Sequence, residues 1–160
     1  MFSPPNIILI RNFDFERNGT QPKDKFMVVI LRIGTDAIVA PLTTSKDYIP
    51  DEHKGQRCVI HHPSKLHCYC IPKSLVVGKN GFAFSKDTYI QVQANLTKRT
   101  ISHLKFRYED TGAASLQDQL TDTEYSDLLY CIYKSKFVPR GIRKDLAPII
   151  EKLEKARSTN

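Results

Sequence analysis

Short apolar runs and polar breaks follow one another through the first two thirds of the chain, a pattern typical of short β-strands. The first three apolar runs are NIILIR, FMVVILRI and AIVAPL, at residues 6–11, 26–33 and 37–42. The last two are separated by Gly34-Thr35-Asp36, which predicts a tight turn and therefore a hairpin. The polar stretch 12–24 separates the first two runs and predicts a loop.

The middle of the chain continues this pattern. A second hairpin is predicted where QRCVIHH (56–62) and KLHCYCI (65–71) flank His62-Pro63-Ser64. FAF (82–84) and DTYIQVQ (87–93) are predicted to be the last strands. So many short strands at close spacing favour a small barrel or a strongly bent sheet.

The last third of the chain changes to a helical period. TKRTISHL (97–104) indicates one or two helical turns, and the stretch 105–118 is ambiguous. TDTEYSDLLYCIYKSK (121–136) predicts a helix, because Thr121 and Glu124 have the spacing of a capping box.

A second helix is predicted over KDLAPIIEKLEKAR (144–157), with Asp145 as its N-cap and Pro148 in its first turn. Its apolar stripe is expected to dock on the rest of the chain. The predicted fold is mainly β with C-terminal helices (α+β): one domain over residues 1–135 and an appended amphipathic helix within 136–160, packed on the same domain.

Composition bounds these predictions. The 160 residues are 41% hydrophobic and 26% charged, which is ordinary for one globular domain. No apolar run approaches the roughly 18–20 residues that span a bilayer. The start, MFSPPNIILIRN, lacks the charged leader of a secretory signal. We therefore expect a cytoplasmic protein whose four cysteines are reduced.

The net charge of +7 is unevenly distributed. Residues 51–110 hold 10 basic and 5 acidic side chains, and a smaller acid-free run extends from Lys134 to Lys144. A basic middle region suits a polyanion such as nucleic acid, although a solvated lysine-rich surface has the same composition.

Three cysteines and three histidines lie within CVIHHPSKLHCYC (58–70). Their spacing argues against structural zinc, which usually takes two closely spaced pairs of ligands. Cys68 and Cys70 should point to the same face of a strand, and Cys131 stands alone in a helix. Cys58 or His61 could still approach Cys68 or Cys70 across the hairpin. We predict no metal and no cofactor.

The hydroxyl-rich segment Thr43-Thr44-Ser45-Lys46 follows a buried strand. It is either a plain turn or a polar platform for a phosphate. Metal-free RNA cleavage uses the adjacent 2′-hydroxyl as nucleophile, and requires a group for proton transfer and donors for the nonbridging oxygens. Pairing across the Gly34 turn brings Lys25 near position 43, so the chain can supply both.

The order of these segments resembles the MazF/PemK family of toxin endoribonucleases. The resemblance covers residues 6–135 and rests on five pieces in order: Asn6-Ile7-Ile8, Lys25-Phe26-Met27-Val28-Val29-Ile30, Ala37-Ile38-Val39-Ala40-Pro41-Leu42-Thr43, Arg99-Thr100-Ile101 and Leu120-Thr121-Asp122. It implies an SH3-like barrel, a homodimer and an antitoxin whose acidic segment occupies the basic groove.

The resemblance also implies site residues. Lys25 and Thr43 correspond to the catalytic pair, and Lys25 stands where the family has an arginine. A lysine lacks the planar fork of arginine, and it can act as a base only if its pKa is lowered from about 10.4. RNA-binding residues are expected at Lys23, Thr44, Ser45, Lys46 and Arg99, and Phe13 and Phe15 could stack bases.

A metal-independent, sequence-selective endoribonuclease acting on single-stranded RNA is thus the leading interpretation. The alternative is an inactive barrel of the same kind that binds a protein, as the gyrase-poisoning toxins resembling CcdB do, or that binds RNA without cleaving it. A zinc protein is a third possibility.

Overall fold

The computed structural model describes residues 1–13, 21–42, 48–92 and 96–159, with the backbone alone for 41 and 42. Two antiparallel sheets dominate these residues. The strands are β1 (Asn6–Phe13), β2 (Lys23–Ile33), β3 (Asp36–Leu42), β4 (Cys58–His61), β5 (Leu66–Ile71), β6 (Thr88–Gln91), β7 (Thr97–Thr100) and β8 (Ala114–Gln119).

The larger sheet has the strand order β7-β3-β2-β1-β8 and the smaller one the order β4-β5-β6. The two predicted hairpins, β2–β3 and β4–β5, are confirmed. Gly34 turns the first hairpin with φ of 57°, a left-handed conformation that glycine adopts without steric cost. The pairing skips Ile30, because Val29 faces Val39 while Leu31 faces Ile38, so β2 bulges there.

One local prediction is wrong and another is correct only in part. FAF (82–84) forms a single bridge, Ala83 to Val76, instead of a strand. The helical turns predicted over 97–104 begin only at Ile101, because residues 97–100 pair with β3 as β7. Here tertiary pairing overrides the local pattern.

Three helices complete the described residues. The first, α1 (Ile101–Leu104), continues into a π-helical turn over Lys105–Glu109. The second is α2 (Asp122–Tyr133) and the third α3 (Arg140–Ser158).

The third helix starts earlier than the sequence suggests. Its N-cap is Pro139, so the prediction of Asp145 as the cap is wrong, and Pro148 lies inside the helix instead of in its first turn. The helix extends toward Pro139 because Ile142 is buried with Leu146 and Ile150, and this apolar stripe needs the extra turn.

Two apolar layers lie on opposite faces of the larger sheet. Residues that alternate along β2 divide between them: Val28 belongs to one layer, and Met27 and Val29 to the other. The first layer includes residues of the smaller sheet, α2 and α3. The second layer includes Leu104 and Tyr108, so α1 and its π-helical turn cover that face.

The fold is therefore mixed α+β, as expected at that level. The described strands form two separate sheets and not a closed barrel. None of the described helices combines the length and the apolar character needed to cross a membrane.

Candidate functional site

Lys25 lies near the start of β2, at one end of the larger sheet. It pairs with Ile10 of β1, and its neighbour Phe26 pairs with Leu42, the last residue of β3. Lys25 is half-buried. Burial, and next the positive charge of Lys23, lower the pKa of the Lys25 ammonium. A lysine whose pKa is lowered gives up its proton more readily, which is what a general base requires.

The predicted partners of Lys25 divide into two groups. Thr43, Thr44, Ser45 and Lys46 follow β3 in the chain but lie outside the described residues, and so does Phe15. Lys23 is described, and its charge acts on Lys25. The lysine pair thus stands next to the point where β3 leads into the hydroxyl-rich segment.

Arg99 lies at the other end of β3. It pairs with Ala37, five residues before Leu42, which corresponds to about 16 Å along a strand. Its guanidinium is exposed and donates to the Lys98 carbonyl oxygen at 3.1 Å. Arg99 and Lys25 are therefore not brought together in the described part of the chain.

Aromatic and cationic side chains surround the end of β1. Phe13 pairs with Lys23, and its ring stacks on Tyr108 with centroids 5.8 Å apart. The Arg107 guanidinium lies 5.8 Å from the centroid of the Tyr108 ring. A cavity of about 380 Å³ beside these rings is lined by both Arg11 and Arg107.

We name this region the basic–aromatic surface, which comprises Arg11, Phe13, Lys23, Lys25 and Arg107, with the buried Tyr108 ring stacked on Phe13. Guanidinium and ammonium groups bind phosphates, and aromatic faces stack bases without regard to sequence. Because Tyr108 is buried, the half-buried Phe13 is the ring of this surface that a base can contact; Phe106, the residue before Arg107, is 75% exposed. The arrangement suits a single strand of nucleic acid better than a small apolar ligand.

Two of the four cysteines are not thiols, contrary to the expectation from the sequence. Cys58 and Cys131 form a disulfide across 73 residues of sequence, with Cα atoms 5.7 Å apart. The prediction that all four cysteines are reduced, with Cys131 standing alone, is therefore wrong. The helix α2 brings Cys131 to β4, a contact that spacing along the chain cannot reveal.

His67 of β5 lies against this disulfide. Its Nε2 is 3.3 Å from the Cys131 Sγ and 3.7 Å from the Cys58 Sγ. The imidazole is completely buried, and burial lowers the pKa of His67 to about 4.

The predicted approach of Cys58 or His61 to Cys68 or Cys70 across the hairpin does not occur. Cys58 is bonded to Cys131, and His61 Nδ1 lies 2.6 Å from the Ser64 Oγ and its Nε2 3.3 Å from Glu52 Oε1. Cys68 and Cys70 share one face of β5, as predicted, with their sulfurs 4.0 Å apart, and both are buried.

A buried polar network fixes α2 to the smaller sheet. The Thr121 hydroxyl accepts from the Glu124 N–H at 3.2 Å, which confirms that half of the predicted capping box. The Glu124 carboxylate accepts from the Tyr69 hydroxyl at 2.6 Å and pairs with Arg57. Burial, and next the hydrogen bond to Glu124, raise the pKa of Tyr69. The polar groups of this network bond to one another, so we assign the network a structural role and not a functional one.

The motifs did not predict Arg11 and Arg107, or the buried Tyr108 on which Phe13 stacks. The excess of basic residues in 51–110 was a signal for Arg107, but charge counting cannot place it beside Phe13. His67 and Cys131 were missed as partners because they lie 64 residues apart.

Comparisons with protein-family models, with curated proteins and with solved structures find no match for this chain.

Proposed function

We propose that this protein is a metal-independent endoribonuclease that cleaves single-stranded RNA in a sequence-selective way. The observation that carries the proposal is Lys25: a half-buried lysine of lowered pKa, beside Lys23, where β3 leads into a run of hydroxyls. The basic–aromatic surface supports it, since RNA needs both phosphate and base contacts.

The proposed reaction needs only side chains and the substrate. The neutral amine of Lys25 takes the proton of the 2′-hydroxyl, whose oxygen attacks the adjacent phosphorus. The bond from phosphorus to the 5′-oxygen breaks, and the Lys25 ammonium returns the proton to that oxygen. The products are a 2′,3′-cyclic phosphate and a 5′-hydroxyl.

Thr43 completes the proposed catalytic pair. The pairing across Gly34 that the sequence predicts brings position 43 near Lys25, and we propose that the Thr43 hydroxyl donates to a nonbridging phosphate oxygen, where negative charge develops. Thr44, Ser45 and Lys46 would contact neighbouring phosphates.

The resemblance to MazF/PemK toxins suggests the biological setting. By that resemblance the chain is an SH3-like toxin barrel that acts as a homodimer in the cytoplasm and is held inactive by an antitoxin. The excess of basic residues fits an antitoxin segment that is acidic.

Cleavage of a mixed single-stranded RNA pool in EDTA tests this proposal. We expect cuts at a defined motif, with cyclic phosphate ends visible by mass spectrometry. Lys25→Ala should slow cleavage by about 10²–10⁴, the usual contribution of a proton-transfer group. Thr43→Ala should slow it by about 10²–10³, the usual contribution of one hydrogen-bond donor to a developing oxyanion. The rising limb of the pH–rate profile should lie below the ordinary lysine pKa, because the pKa of Lys25 is lowered.

Two variants serve as matched controls. Lys144→Ala removes one exposed lysine charge on α3, and Thr123→Ala one exposed hydroxyl on α2. Neither should change the rate. RNA that is bound but left intact by the wild-type chain would favour the binding-only alternative, and cleavage that survives Lys25→Ala would refute the assigned mechanism.

A further inference from the structure

Three side chains with metal-binding atoms meet on the smaller sheet, away from the basic–aromatic surface. Cys58 comes from β4, His67 from β5 and Cys131 from α2, so three separate elements each contribute one ligand atom. All three atoms lie within 4.8 Å of one another. His67 and Cys131 are buried, while Cys58 is half-buried.

The geometry around His67 fits a tetrahedral metal. With Zn–S near 2.3 Å and Zn–N near 2.0–2.1 Å, a tetrahedral site separates sulfur from nitrogen by about 3.6 Å. The His67 Nε2 lies 3.7 Å from one sulfur and 3.3 Å from the other, so the imidazole already occupies a ligand position relative to both. Only the two sulfurs must separate, to about 3.8 Å in such a site.

The disulfide and the metal site are mutually exclusive, because both need the same two sulfurs. A small thiol reductant breaks the Cys58–Cys131 bond by supplying two electrons and two protons, and is itself oxidised to a disulfide. Zinc then displaces the two protons, since thiolates are the ligands.

We propose that Cys58, Cys131 and His67 form a redox-gated zinc site, open when the cysteines are reduced and closed by their disulfide. The three protein ligands leave the fourth coordination position for solvent or an external ligand, on the side of Cys58. This site takes no part in the proposed metal-independent cleavage, so either proposal can fail while the other stands.

Cobalt titration of the full chain tests the site. The chain is reduced with a phosphine, which is then removed under argon, and Co²⁺ is added as a zinc substitute. We expect one Co²⁺ per chain, with thiolate-to-cobalt absorption that Zn²⁺ abolishes. The oxidised chain, identified by an intact mass lower by two hydrogens, should show no such band.

Variants assign the ligands. Cys58→Ser, Cys131→Ser and His67→Gln should each weaken binding at least tenfold. Cys68→Ser and Cys70→Ser remove buried thiols of the same region and should keep the band. A reduced, folded wild-type chain that takes up no cobalt would overturn the proposal, and so would a band lost with Cys70 but kept without Cys58.

Alkylation of the wild-type chain keeps the test decisive where a ligand variant fails to fold. Zinc should slow the reaction of iodoacetamide with Cys58 in the reduced chain at least tenfold, as read from peptide masses. Equal rates with and without Zn²⁺ contradict the site.

Discussion

Asp118 shows how one buried carboxylate can hold a loop in place. It is 4% exposed and accepts from the backbone N–H groups of Asn80 at 3.0 Å, Phe82 at 3.1 Å and Gln119 at 2.7 Å. Burial alone would raise the pKa of Asp118, but these hydrogen bonds outweigh it and hold the pKa below its usual value. The turn at 78–82 is thus anchored to β8 by a charge.

Gly78 is the residue that permits this close approach. A Cβ added at Gly78 would collide with the Asp118 carboxylate and lie 2.7 Å from the Phe82 Cβ. Gly78→Ala should lower the free energy of unfolding by about 1–3 kcal/mol, as overpacking does. Urea denaturation measures the change.

Gly141 provides the matched control. It lies in α3, and a Cβ there meets nothing within 4 Å. Gly141→Ala should be neutral or stabilising by up to about 1 kcal/mol, because alanine is the better helix former. A similar loss of unfolding free energy at both positions would show that the collision at Gly78 is not its cause.

At the scale of elements, the bulge in β2 is where α2 is attached to the larger sheet. The hydroxyl of Tyr125 donates to the Ile30 carbonyl oxygen at 2.6 Å, at the residue that the β2–β3 pairing skips. The helix therefore supplies a hydrogen-bond donor to the Ile30 carbonyl, at the position where the strand pairing is irregular. Burial raises the pKa of Tyr125 to about 12.

This contact predicts a loss of stability in alkali. The unfolded chain loses the Tyr125 proton near pH 10 and the folded one near 12, so the folded state binds more protons in between. The contribution of Tyr125 is complete below about pH 10 and falls by up to about 1.4 kcal/mol per pH unit toward pH 12.

Tyr125→Phe isolates that contribution from those of other tyrosines. The variant should be less stable by about 1 kcal/mol at pH 7, and the difference from wild type should shrink or reverse by pH 12. Guanidinium denaturation at several pH values measures both quantities. A difference that stays constant from pH 8 to 12 would contradict a buried, protonated hydroxyl.

At this scale, the sequence predicts well those features that depend on residues close together along the chain. The turn at Gly34 and the cap at Thr121 depend on neighbours along the chain, and both are found. The capping pattern could not reveal that Glu124 turns to Arg57, a residue 67 positions away. The strand at 97–100 likewise exists because β3 pairs with it, and the Cys58–Cys131 bond joins positions that no spacing rule connects.

Across the whole molecule, charge is the property that most constrains a partner. The basic–aromatic surface includes part of the excess of +7 at one end of the larger sheet. Lys98, by contrast, lies within 3.9 Å of Asp36 and of Asp145, which compensate its charge. A polyanion should therefore engage the end of β1 in preference to β7.

Salt dependence tests that preference. Binding of a 2′-O-methyl RNA strand, which cannot be cleaved through its 2′-hydroxyl, should weaken as salt rises, because counterions are released. Arg11→Gln and Arg107→Gln should each reduce the slope of log K against log salt by about 0.7. Fluorescence anisotropy measures the slope.

Lys152→Gln removes one charge from α3 and should leave the slope unchanged. Equal effects of Arg11→Gln, Arg107→Gln and Lys152→Gln on the slope would mean that net charge alone attracts the RNA and that the protein has no defined RNA-binding surface.

The last helix has a consequence for how the protein is made. Ile142, Leu146 and Ile150 belong to the same apolar layer as Leu128 and Ile132 of α2. A ribosome releases the N-terminal part of a chain first, so this layer stays partly uncovered until Ile150 has emerged. Nascent chains that end before that point expose apolar surface that chaperones bind, so folding of the layer waits for the last helix.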